Sequence, residues 1–163
     1  MVNSKMEEII RKYGDMVFRV ALIYSRNNRE DAKDISQDVF LTLLNKNKEF
    51  NDSEHCKAWL IRTTINLSKK YYFRKKDILY DPQEMRNLIG DNEKITLDQD
   101  SSRLYQGICK LPERNKIVII LYYFEELSCR EIAQVLVISE ASVRKRLSRG
   151  RQYLRRFLEE DYE

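Results

Sequence analysis

The stretch Ser128 to Leu158, SCREIAQVLVISEASVRKRLSRGRQYLRRFL, constrains this chain most. It has room for two helices and one tight turn, and for little else. Ser128 and Glu131 stand three apart, the spacing of a capping box in which a hydroxyl and a carboxylate each accept a backbone N–H of the other residue. Ile132, Val135 and Leu136 follow at helical spacing around the small Ala133. Ser139 is the next N-cap, and Glu140 falls in the first turn, where the helix dipole favours an acid. Val143, Leu147, Leu154 and Leu158 then form an apolar stripe, with Tyr153 and Phe157 beside it.

The second of these helices is strongly cationic. Arg144, Lys145, Arg146, Arg149, Arg151, Arg155 and Arg156 lie on it, and between Ser139 and Arg156 only Glu140 opposes them. A short helix, a turn and a longer basic helix make the helix-turn-helix pattern, whose second helix enters the DNA major groove by its N-terminal half. Glu140, Ala141, Ser142, Arg144 and Lys145 are best placed to meet base edges. Ser139, Arg146 and Arg149 complete the DNA-facing set, and the later arginines suit phosphates. A basic run alone equally fits a solvated surface; the capping box, the turn spacing and the one-sided charge together favour DNA. Val137 stands at the turn, where φ > 0 is common and Gly or Asn usual. Either the turn avoids positive φ or it carries roughly 1–2 kcal/mol of strain.

Only four Gly and two Pro interrupt 163 residues, so helices joined by short turns are favoured over sheets. The chain is 34% charged yet 42% hydrophobic, which marks a folded sequence and not a disordered one. The net charge of +4 matters less than its segregation along the chain. Cys56, Cys109 and Cys129 are scattered, which suits a reducing, cytoplasmic setting. His55 beside Cys56 supplies two ligands and therefore no metal site, and no cofactor is expected. The first residues, MVNSKMEEII, lack a signal-peptide pattern, and no apolar run approaches the ~20 residues of a membrane span.

Upstream, residues 4–26 read as helical. Ile9, Ile10, Tyr13, Met16, Val17, Val20, Ala21 and Tyr24 form one apolar row, Phe18 and Leu22 a second, and Gly14-Asp15 marks a bend or split. A second helix, Arg29 to Asn47, buries Ala32, Ile35, Val39 and Leu43. The helix dipole accounts for Asp31 near its start but less well for Asp38, so the face with Asp34, Gln37, Asp38 and Leu41 reads as a protein-docking surface. Phe50 sits in the polar loop that follows, either as a plug on the local core or as an aromatic free to stack. Asp52 and Ser53 are N-cap candidates for a third helix, about Glu54 to Lys76.

That third helix has a core-facing stripe of Trp59, Leu60, Thr64, Leu67 and Tyr71, widened by Ile61 and Ile65. Its opposite side carries Arg62, Asn66, Lys69, Lys70 and Phe73, followed by Arg74 to Lys76, with no acid after Lys57. Tyr71, Tyr72 and Phe73 lie between two basic clusters. Cations that track a backbone and rings that stack on bases suit single-stranded nucleic acid; a cationic helix end is the plainer alternative. Asp77 to Asp100 is acidic, contains Pro82 and Gly90, and reads as a flexible linker with at most a short helix near Glu84 to Ile89. Order returns near Ser102 with a helix to Lys110. Pro112 then suits the first position of a helix whose run Ile117 to Phe124 forms a core. The fold class is therefore all-α: two small helical domains, 1–76 and 102–163, joined by a linker at 77–101.

Three segments, DAKDISQDVFLTLL (31–44), AWLIRTTINLSKKYYFRKK (58–76) and LPERNKIVIILYYFEELSCREIAQVLVISEASVRKRLSRGRQYLRR (111–156), together resemble the sigma-70 family. Size and domain order look like its extracytoplasmic-function (ECF) branch. The resemblance implies a bacterial, cytoplasmic promoter-recognition subunit without enzymatic activity. Asp34, Gln37, Asp38 and Leu41 would dock on the clamp helices of the RNA polymerase largest subunit, and the C-terminal domain would approach the flap region. Phe50 and its loop neighbours would help hold a flipped base of the minus-ten element. Arg62, Asn66, Lys69, Lys70 and Phe73 would face that DNA, the helix from Ser139 would read the minus-thirty-five element, and the linker would thread the channel otherwise used by RNA. An anti-sigma factor, soluble or membrane-bound, is an implied partner.

Two other classes compete. A helix-turn-helix repressor or activator would need no polymerase, but no dimer seam is evident and the basic-aromatic third helix would lack a job. An enzyme acting on nucleic acid would need a carboxylate pair, a metal cluster or a phosphate loop, and the sequence shows none of these.

Overall fold

A computed structural model describes residues 2–26, 28–75 and 99–160. The chain divides into two compact units, Met1–Gly90 and Asp91–Glu163. All regular structure among the described residues is helical. Most of the expected linker, with its short helix near Glu84 to Ile89, lies outside the described residues.

In the first unit, α1 (Val2–Tyr24), α2 (Arg29–Lys46) and α3 (Ser53–Lys75) each pack against the other two. Val17, Val20 and Ala21 of α1, Ala32, Ile35 and Val39 of α2, and Leu60, Ile61 and Thr64 of α3 are almost wholly sealed from solvent. Each fully buried Val, Leu or Ile contributes about 1.5–3 kcal/mol. The expected stripe of α2 is buried as read, including Leu43. Asn28 caps α2 by accepting the N–H of Asp31, and Asn47 ends it in the left-handed region with φ 48°, returning its own N–H to the Leu44 carbonyl.

Two expectations for this unit change. α1 runs unbroken through Gly14, because buried Tyr13, Met16 and Val17 hold both sides of it against α2 and α3; Ile10 is exposed and Ile23 buried instead. On α3 the buried stripe is Leu60, Ile61, Thr64, Ile65 and Ser68, with Trp59, Leu67 and Tyr71 half-buried at its margins. Ile61 and Ile65 belong to its centre, since the Trp59 ring is turned toward the loop, 5.7 Å from that of Phe50. Asp52, not Ser53, is the N-cap: its Oδ1 accepts the His55 N–H at 2.7 Å.

The second unit holds α4 (Gln99–Lys110), α5 (Glu113–Ile119), a π turn (Ile120–Phe124), α6 (Cys129–Leu136) and α7 (Glu140–Glu160). α4 starts earlier than Ser102. Pro112 is the residue before α5 and not its first: its carbonyl accepts from Asn115 at 3.0 Å and Lys116 at 2.9 Å. Ile117 to Leu121 are buried, whereas Tyr123 and Phe124 are exposed, because eight consecutive apolar residues cannot share one side of a helix. The π turn closes with the Glu125 N–H on the Ile120 carbonyl at 3.2 Å.

Two glycines let α7 lie close to its neighbours. A Cβ built on Gly150 would stand 3.0 Å from Ile119 Cγ1, and one on Gly107 would stand 2.9 Å from Phe157 Cδ1. Gly150 is buried beside Val143 and Leu147 and completes the stripe of α7, while Tyr153 is largely exposed.

Candidate nucleic-acid interface

The helix-turn-helix is built as its sequence predicts. Ser128 Oγ accepts the Glu131 N–H and Glu131 Oε1 accepts the Ser128 N–H, both at 3.1 Å. Ser139 Oγ accepts the Ser142 N–H at 3.1 Å and donates to Ser142 Oγ at 2.9 Å, so the cap of α7 also fixes the Ser142 side chain. Between the helices, Val137 takes φ 58° and ψ 50°. Of the two alternatives for the turn, the strained one holds. Val137 is 69% exposed, so its own contacts do little to offset that strain. The anchored residues on either side do so: Ile132 and Val135 before the turn, Val143 and Leu147 after it, all buried.

On α7 the buried stripe sets which basic residues face outward. Arg144, Lys145 and Arg149 are exposed, Ser139 also; Glu140, Ser142 and Arg146 are half-buried. Arg144 Nη2 lies 3.1 Å from Glu140 Oε2, an exposed pair across one turn. Arg151 is diverted: its Nε donates to Tyr123 Oη at 2.6 Å, and its guanidinium lies 5.5 Å from the centroids of both Tyr122 and Tyr123. Ser148 and Gln152 are exposed on the ridge of Lys145 and Arg149. The steps of three, four and seven from Lys145 reveal them; attention to charge alone passed them over.

In the first unit two exposed faces stand on adjacent helices. Asp34, Gln37, Asp38 and Leu41 are all exposed along α2, at the spacing that places them on one face. Arg62, Asn66, Lys69, Lys70 and Phe73 are exposed along α3, opposite its buried stripe, and Phe73 is 75% accessible. Tyr71 and Tyr72 do not join them. Both are half-buried and donate to Asp31, at 3.0 Å from Tyr71 Oη to Oδ1 and 3.2 Å from Tyr72 Oη to Oδ2. Asp31 is buried, so the helix dipole alone does not account for it. Burial, and then the Asp31 carboxylate, push the Tyr71 phenol up to about 12, and burial also raises Tyr72.

Phe50 is half-buried, edge-on to His55 at 5.4 Å, and it borders a cleft of about 810 Å³ between Ile9 and Tyr13 of α1, Leu44 of α2 and Cys56 of α3. The loop around it is tied down: His55 Nδ1 accepts the Asn51 N–H at 3.4 Å, and Tyr13 Oη donates to the Ser53 carbonyl at 3.1 Å. Lys48 Nζ lies 5.8 Å from the Trp59 ring. The Cys56 thiol is pushed up by burial, against the pull of Lys12. Among the described residues no three His, Cys, Asp or Glu side chains gather as metal ligands, and no helix is long and apolar enough to cross a membrane.

Comparison with known proteins follows these boundaries. The family model described as Sigma-70 region 2 matches residues 9–78, and the one described as Sigma-70, region 4 matches residues 101–154. The ECF RNA polymerase sigma factor SigW of Bacillus subtilis is 28% identical over 93% of this chain and 87% of its own length. The RNA polymerase sigma factor SigV of the same organism is 31% identical over 85% of this chain and 81% of its own. Among solved structures, the sigma factor RpoE of Bartonella quintana, crystallised with the anti-sigma factor NepR, has the same fold with a TM-score of 0.71. It is 18% identical, over 95% of this chain and 97% of that one. With both regions matched in order and relatives aligned over most of their length, the chain belongs to the sigma-70 family, as an RNA polymerase sigma factor of the ECF branch.

Proposed function

We propose that this sigma factor docks core RNA polymerase through Asp34, Gln37, Asp38 and Leu41 and reads its promoter with two separate faces. The α7 face, with Ser139, Glu140, Ser142, Arg144, Lys145, Arg146 and Arg149, takes the minus-thirty-five element as duplex. The α3 face, with Arg62, Asn66, Lys69, Lys70 and Phe73, takes the minus-ten strand as the DNA opens. The cleft beside Phe50 is roomy enough for one flipped base. The observation that carries the reading is the separation of charge in the first unit, where α2 exposes carboxylates and α3 exposes only cations, an amide and a ring on its outer face. Carboxylates repel phosphate and suit a protein partner; cations beside an exposed ring suit a single strand.

The reading includes a cytoplasmic setting, a response to envelope stress, contact of the second unit with the polymerase flap, and an anti-sigma partner such as RpoE of Bartonella quintana has in its co-crystal. A polymerase-independent repressor is not favoured, because it leaves the α2 and α3 faces without a role.

Run-off transcription with core polymerase on genomic fragments tests the proposal. Discrete products that require this chain are expected, and Asp38→Arg should weaken capture of core polymerase by about 2–5 kcal/mol. Tight, site-specific binding to fragments without polymerase, and no run-off product with it, would replace this reading by the repressor.

A further inference from the structure

Asp31 differs from the other carboxylates of α2. Asp34 and Asp38 are exposed; Asp31 is 6% accessible and faces α3. Its two oxygens accept from different tyrosines, Oδ1 from Tyr71 and Oδ2 from Tyr72. Consecutive residues of an α-helix point about 100° apart around its axis. One carboxylate can therefore hold both phenols only within a narrow range of rotation of α3. The two rings brace each other edge-on at 5.8 Å.

This fixation falls where apolar anchoring thins out. The last buried aliphatic residue of α3 among those described is Ile65, and Ser68 beyond it is buried without a hydrogen-bond partner for its hydroxyl. Phe73, the residue after the clasped pair, is 75% accessible, and Lys69 and Lys70 flank it on the exposed face. The raised Tyr71 phenol remains a donor across the cellular pH range.

We propose that Asp31, Tyr71 and Tyr72 form a positioning clasp that sets the rotation of the last turns of α3, so that Lys70 and Phe73 meet the separated promoter strand. One end of the clasp is on the helix that carries Asp34 and Asp38, so the strand-capturing end of α3 is referenced to the polymerase-docking helix itself. The inference rests on the proposed role of the α3 face, and it adds that these three buried side chains govern promoter opening without touching DNA.

The test uses holoenzyme assembled from the full chain and core polymerase, on a promoter fragment identified by run-off transcription. Tyr71→Phe/Tyr72→Phe removes both hydroxyls and keeps both rings. It should slow permanganate-detected opening about tenfold and leave core binding unchanged. The decisive readout is a double-mutant cycle with Phe73→Ala. In the parent background Phe73→Ala slows opening; in the clasp variant it should add little, because Phe73 is already misplaced. A role in stability alone lowers the melting temperature but leaves the Phe73→Ala penalty whole, and that additivity overturns the proposal, as does opening at the parent rate.

Asp31→Asn, which keeps one acceptor oxygen, should fall between parent and double variant. It carries the same cycle if the double variant does not fold. If Phe73→Ala and Lys70→Ala both open the promoter at the parent rate, the role of the α3 face fails first and the clasp with it. Normal sensitivity to those two changes, with an inert clasp, overturns the clasp alone.

Discussion

The two DNA-facing helices are held by opposite means. Beneath α7 the support is apolar and close: Val143 and Leu147 are buried, and Gly150 lies where any side chain would meet Ile119. Beneath the last turns of α3 the support is polar: a buried carboxylate, two phenols and an unpartnered serine hydroxyl. Close packing tolerates no added volume. A polar clasp tolerates shape changes but not the loss of one partner, because the groups left behind stay buried and unsatisfied. The helix expected to meet rigid duplex thus rests on a rigid bed. The one expected to meet a strand as it separates rests on contacts that a single proton or hydroxyl can undo.

The sharpest way to break this contrast is volume. Gly150→Leu should destabilise the second unit by about 3 kcal/mol, seen as accelerated hydrogen exchange in α5 and α7, while the first unit is unaffected. Trp59, the single tryptophan, reports on that first unit by fluorescence. Removing an acceptor comes next. Asp31→Ala should cost the first unit about 2 kcal/mol through its stranded phenols, read from Trp59 fluorescence in urea, with protection in α7 intact. An equal loss in both units would erase the distinction.

The third change runs the other way. Val137→Gly releases the left-handed strain but makes the unfolded chain freer. The second unit should gain a net of about 0.5–1 kcal/mol, and a loss would show that the valine side chain contributes something its exposure conceals.

The smallest effect lies in pH. The folded phenol of Tyr71 sits at about 12 against an ordinary value of 10.0, so the stability it contributes is complete below pH 10 and is lost as pH rises through about 12. In a spectrophotometric titration of the ten tyrosines, Tyr71→Phe should remove a late step and leave the early ones in place.

Most of the fold was legible from local rules. Ser128, Glu131 and Ser139 cap their helices through neighbours within three residues, and the α2 stripe follows from spacing alone. What escaped depends on partners distant in the chain. Nothing near Asp31 announces that residues 40 and 41 positions later will donate to it, and the dipole offered a sufficient local reason for an acid there. Tyr71 and Tyr72 looked like stacking rings because they sit among lysines. Their rotation about α3 puts them on the opposite side from Arg62, and a count of helical turns would have shown it. The faces proposed to meet polymerase and DNA were readable because exposure on a helix follows periodicity. The diversion of Arg151 to Tyr122 and Tyr123 was not, since it depends on how α7 crosses the π turn.

The π turn at Ile120–Phe124 fits more chain into its length than an α-helix would. Deleting one residue there would restore regular α geometry at little local cost. It would also turn everything downstream by about 100° around the axis of α5. Ile132 and Val135 would no longer point toward the core they now fill, and α7 would have to find a new seat against Ile119. Substitutions at the exposed Tyr123 and Phe124 leave that phase untouched. The unit is therefore far more sensitive to the number of residues in this segment than to their identity, and an insertion or deletion here is the shortest route by which a relative could re-aim its DNA-reading helix.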